Sequence, residues 1–278
     1  PDWFFEGDAV YNETVLTKQG RGKLPLFLNA YPSLWQAGKK YSWMKLRNGS
    51  LKDYVPNHYN LGYLLVNYGR EKYGDDFWTK VTRDASAYKG LFYPFQTAIK
   101  KYAGVDYKTF REQAFEFYKK QTERMAQVRD EYVLPVKKSY VSNYYFPYSA
   151  GADSLIYLKT SYRHRRAFYI KDAKGEHRLK TRDIAIDEQF SYRNGKIVYS
   201  AYESDARWGW KDYSVIKLLD VQTGKQQTLT HKTKYFTPDI SEDGSLVAAV
   251  QFDENGKSEL HILNTNGGTV LNKIHSPE

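Results

Sequence analysis

The stretch "YFTPDISEDGSLVAAVQFDENGKSELHILNTNGG" (235–268) decides how the second half of this chain is read. An aromatic lead-in runs into "EDG" (242–244), a tight-turn signal. "SLVAAVQF" (245–252) then has the two-residue period of a strand, and "SELHILNT" (258–265) reads as a second one. A Gly turn and a third strand, "GGTVLNKI", close the unit. The same order occurs twice upstream. "YYFPYS" (144–149), "AGAD" (150–153), "SLIYLKTS" (154–161), "RRAFYIKD" (165–172) and "GEHRLKT" form one copy. "EQFSYR" (188–193), "RNG" (193–195), "KIVYSAYE" (196–203), "YSVIKLLDV" (213–221) and "TGKQQTLT" form the other. The equivalent Leu155, Ile197 and Leu246 are 42 and 49 residues apart. A four-stranded unit repeating every ~40–50 residues reads as a propeller blade. Three blades are fewer than the roughly four to eight that close a propeller, so an incomplete propeller is expected. The alternative is a three-unit antiparallel sandwich or open sheet.

Working outward, residues 1–135 change to a helical period, and the chain divides into 1–135 and 136–278. "DAVYNETVLT" (8–17) reads as one helix. "YNLGYLLVNYGREKYG" (59–74) places Leu61, Leu64, Leu65 and Tyr68 on one stripe and stops at Gly74. "DDFWTKVTRDASAY" (75–88), "YPFQTAIKKYAG" (93–104) and "DYKTFREQAFEFYKKQTERM" (106–125) complete the set, the last with Phe110, Ala114, Phe117 and Met125 in phase. Residues 18–58, rich in Gly, Pro and aromatics, read as a long irregular stretch of the kind that lines a cleft.

Composition bounds the function. At 41% hydrophobic and 27% charged residues the chain is globular rather than disordered. No apolar run approaches the ~20 residues of a membrane-spanning helix. The absence of cysteine excludes disulfides and thiolate metal sites. The net charge of +10 is scattered as singles and pairs, densest at "RHRR" (163–166), so no nucleic-acid footprint is expected.

Two stretches carry a resemblance. In 235–268, Phe236, Pro238, Asp239, Ser241, Asp243, Gly244, Ile262 and Asn264 resemble a TolB-type propeller blade. At the start of the chain, "PDWFFEGDA" (1–9) resembles the third-ligand helix of gluzincin metallopeptidases, the aminopeptidase N and thermolysin relatives. The succession from "WFFEG" through "GRGKLPLF" (20–27) and the Tyr-rich helix to blades looks like the second half of a bacterial peptidase joined to a TolB-like propeller. The fold that this implies is multidomain α and β: the helical C-terminal part of a metallopeptidase domain followed by incomplete β-propeller blades.

The resemblance implies that Glu6 is a carboxylate ligand to zinc, in a His₂Glu set. It also implies that Tyr59, in "HYNLG" (58–62), donates to the oxyanion of the tetrahedral intermediate, with the adjacent His58 in reserve. The HExxH motif that supplies the two His ligands is missing. The six His residues, His58, His164, His177, His231, His261 and His275, include no i, i+4 pair. Either the chain is a C-terminal fragment whose zinc-binding helix lies before Pro1, or the protein has no zinc. The start on Pro1, inside the motif, favours the fragment.

Competing readings of single features are plainer. Glu13 reads as a surface residue or a support for the site, and "GRGK" (20–23) lacks the spacing of a phosphate-binding loop. "SDARWGWKD" (204–212), with Trp208 and Trp210, is the candidate contact surface of the propeller. The first functional expectation is therefore an exported zinc-dependent metallopeptidase, periplasmic or otherwise in a bacterial cell envelope or outside the cell. It would hydrolyse peptide bonds in a peptide or protein substrate, and this chain would be inactive without its missing N-terminal part. The second is a non-catalytic cell-envelope protein that binds glycan or protein through the propeller.

Overall fold

A computed structural model describes residues 1–87, 90, 92–123 and 139–275. The chain forms two compact units, Pro1–Ser139 and Tyr140–Glu278. The boundary expected at 135/136 lies outside the described residues, as does Met125.

The first unit is helical. Its elements are α1 (Asp2–Leu16), α2 (Pro25–Leu28), α3 (Ala30–Gln36), α4 (Trp43–Asn48), α5 (His58–Tyr73), α6 (Phe77–Ser86), α7 (Pro94–Ala103) and α8 (Tyr107–Glu123). α5 is its axis. The Asn57 side chain caps it by accepting from the backbone N–H groups of Tyr59 and Asn60, at 3.0 and 3.1 Å. Gly74 ends it at φ 93°, a backbone angle that costs glycine little. The stripe of Leu61, Leu64, Leu65 and Tyr68 is buried. Trp3 and Phe4 of α1, Phe77 and Trp78 of α6, Ile99 of α7 and Phe110 of α8 pack in the same core. The Trp78 indole N–H donates to the Val66 carbonyl at 2.8 Å, so its polar atom is satisfied where it is buried.

Two sequence expectations change here. The first helix begins at Asp2, six residues before the expected start. Its buried stripe (Trp3, Phe4, Gly7, Val10, Thr14) contains two small or polar positions that blur the apolar period. The stretch 18–58 is not irregular throughout. It holds α2, α3, α4 and a 3₁₀ turn, Arg21–Lys23, each too short for periodicity to register.

The second unit consists of three four-stranded antiparallel meanders, paired in chain order. The first sheet has β1 (Ser142–Gly151), β2 (Ser154–Ser161), β3 (Ala167–Asp172) and β4 (Gly175–Thr181). The second has β5 (Ser191–Arg193), β6 (Lys196–Ser204), β7 (Asp212–Asp220) and β8 (Gln226–Thr228). The third has β9 (Tyr235–Ile240), β10 (Leu246–Phe252), β11 (Ser258–Asn264) and β12 (Val270–His275).

The middle sheet is buried on both faces, and the period of two explains how. Along β6, Ile197, Tyr199 and Ala201 enter a core shared with Ile156, Leu158 and Phe168 of the first sheet. The intervening Val198 enters a second core with Tyr235, Val247 and Leu263 of the third. β7 divides likewise: Val215 and Leu219 face one core, Ile216 and Leu218 the other. Each sheet thus stacks on the next, as blades do.

Candidate functional site

The residues singled out from sequence lie in the first unit, on α1 and at the start of α5. These two helices meet backbone to backbone. A Cβ built on Gly7 would lie 2.2 Å from the Gly62 carbonyl carbon, and one on Gly62 would lie 1.9 Å from the Trp3 carbonyl oxygen. Both glycines have ordinary helical angles, so close approach is their reason. Glu6 adjoins Gly7, and Tyr59 precedes Gly62 by one turn.

Tyr59 is half-buried and His58 exposed, with ring centroids 4.5 Å apart. The Arg21 guanidinium lies 4.9 Å from the Tyr59 ring centroid, within cation–π range. Arg21 is itself clamped by Glu13, which accepts from its backbone N–H at 2.9 Å and from Nε at 2.8 Å. The Arg21 backbone bond, then its side-chain bond, holds the Glu13 carboxyl below the usual carboxylate range.

"GRGK" is the strap that closes this arrangement. The Gly22 N–H donates to Thr14 Oγ1 at 2.9 Å, and a Cβ on Gly20 would lie 2.2 Å from the Thr14 Cα. Of the two readings of Glu13, surface residue or support, the clamp on Arg21 favours support, and what sequence reading missed is the partner. That partner stands eight positions away in a loop, where no helical or strand period reveals the contact.

Glu6 is half-buried and forms no ion pair with another described residue. Among the described residues no three His, Asp or Glu side chains lie close enough to hold a metal ion. The donor set present does not by itself fit a zinc site.

In the second unit, the Asp-Gly turn of the third sheet is internally tied. Asp243 accepts from Ser241 Oγ at 2.6 Å, from Ser245 Oγ at 2.7 Å and from the Ser245 N–H at 3.0 Å. These bonds, the two hydroxyls first, lower its pKa to about 2. Asn194 and Lys196 of the second sheet donate to the carbonyls of Asp243 and Gly244, at 2.8 and 2.9 Å. Ser191 bonds Asp239 across the same junction. The turn residues of the blade motif are thus sheet-to-sheet fasteners. Trp208 and Trp210 are exposed, on a loop held by Asp205, which accepts from the N–H groups of Arg207 and Trp208.

No family model and no curated protein matches the chain. Solved structures match part of it. TolB from Acinetobacter baumannii is 22% identical over 45% of this chain and 30% of that one, with a TM-score of 0.35. The β-propeller domain of the Trilobed protease from Pyrococcus furiosus is 17% identical over 49% and 43%, also at 0.35. A putative TolB from Agrobacterium tumefaciens is 15% identical over 42% and 41%, at 0.33. The chain thus spans 30% to 43% of the length of these structures, and at such TM-scores the likeness is partial. No helix among the described residues is long and apolar enough to cross a membrane.

Proposed function

We propose that this chain works as part of an exported zinc peptidase of the bacterial cell envelope, to which its helical unit contributes Glu6 and Tyr59. The observation that carries this reading is the Gly7–Gly62 contact. It seats the helix of the "WFFEG" motif on the helix of the Tyr-x-x-Gly motif through the glycines of the two motifs, leaving no room for a side chain between them. Glu6 supplies one carboxylate, and the other ligands come from sequence outside these 278 residues. The exposed Phe5 and Leu16 of α1 and Leu26 of α2 are apolar surface that such a partner would cover.

Tyr59 donates its phenol proton in a hydrogen bond to the oxyanion that forms when a peptide carbonyl is attacked. Arg21 against its ring and the Asn57 cap below it hold the phenol in place. Glu13 positions Arg21. The test is Tyr59→Phe in the longest native form of the protein. A loss of ~10²–10³ in kcat with KM and metal content unchanged supports the role. Unaltered kcat would remove Tyr59 from the reaction.

The second reading, a non-catalytic envelope protein that binds glycan or protein, is favoured by a different observation. Trp210 is fully exposed on a loop whose backbone is tied by Asp205, a presentation suited to contact with a partner.

A further inference from the structure

A cavity of about 1010 Å³ opens between the first two sheets, bordered by Arg165, Arg166, Thr181, Arg182, Ile184 and Tyr202 among others. The Arg182 side chain is wholly buried. Its Nη2 donates to the carbonyls of Asp187 and Gln189, at 2.8 and 3.0 Å. Its Nε and Nη1 are buried and have no hydrogen-bond partner among the described residues. The adjacent carboxylate, Asp187, is 3.5 Å from Nη2 and already accepts from the Thr237 N–H at 2.7 Å and from Ser200.

The other acids at the rim are occupied too. Asp183 accepts from Lys217 and Tyr199, Glu188 pairs with Arg166, and Asp212 accepts from Ser204. Arg165 is exposed and forms no ion pair with another described residue. Burial pulls the Arg182 pKa down, yet a guanidinium keeps its proton in proteins. A fixed charge, paired with Asp187 through Nη2 alone, therefore stands in the wall of an open cavity, and Arg165 at the rim has no ion pair with another described residue. Burying such a charge is costly while Nε and Nη1 lack acceptors, and an anion in the cavity would offset that cost. An anion in the cavity would act on it through protein rather than through water, where the attraction is stronger.

We propose that this cavity binds the carboxylate of a small organic anion, a peptide C-terminus included. Arg182 and Arg165 are the countercharges, and the exposed Ile184 and Tyr202 meet the apolar part of the ligand. This site is independent of the peptidase reading.

The test is calorimetric titration of the whole chain with N-acetyl-leucine, with its amide, and with inorganic phosphate. The expected result is that the acid binds and the amide binds at least ~10-fold more weakly. Arg165→Gln should weaken the acid by about 10-fold without changing the fold. Arg182→Leu should abolish binding and lower Tm, since the Asp187 carboxylate and the Asp187 and Gln189 carbonyls lose their buried partner. If Arg182→Leu fails to fold, the exposed Arg165 still carries the test. Phosphate binding that Arg165→Gln weakens would support the same oxyanion site with phosphate as the source. Equal binding of acid and amide, no binding of either anion, or no effect of Arg165→Gln would overturn it.

Discussion

Gly7 and Gly62 occupy positions where distance alone excludes a side chain. Because a methyl at Gly62 would strike the Trp3 carbonyl rather than a movable side chain, Gly62→Ala should destabilise the helical unit by ~1–3 kcal/mol or more, read by urea denaturation. A change under ~0.5 kcal/mol would mean that α1 and α5 do not meet there. Asp243 gives a second residue-scale prediction. Its folded pKa, about 2, lies below the ordinary carboxylate value. Its contribution to stability is therefore complete above the unfolded pKa and is lost as pH falls toward about 2. A carboxyl resonance of Asp243 titrating near 2 by NMR is expected, and a midpoint near 4 would contradict the hydrogen-bonded turn. Both glycines were visible in their motifs, but not their contact. Nothing local in "WFFEGDA" marks Gly7 as the partner of Gly62.

At the scale of elements, strands and long helices were legible because burial imposes a period. β2 falls where the alternation placed it, and the α5 stripe is buried as the i, i+3, i+4, i+7 spacing requires. The short helices of 18–58 were not, since four to seven residues hold less than two turns. The Glu13–Arg21 clamp was not legible either, because a helix-to-loop ion pair has no period. The middle sheet yields a prediction of its own. Ile216 is fully buried in the core between the second and third sheets, so Ile216→Ala should cost ~2–5 kcal/mol in that unit. Its hydrogen-exchange protection should fall there, while α5 amides remain as in the wild type. Equal loss in both units would mean that the two cores unfold as one.

For the whole molecule, each unit has a core of its own, and the two proposed sites divide between them. The helical unit offers Glu6 and Tyr59, and the sheets offer the cavity at Arg182. The zinc reading was legible only as a motif resemblance, because one carboxylate does not specify a metal. The most direct measurement is the zinc content of the longest native form of the protein, compared with its Glu6→Gln variant. About one zinc per chain is expected, with most of it lost in the variant while the fold persists by circular dichroism. Zinc absent from the native form, or held equally well by Glu6→Gln, would contradict the zinc reading.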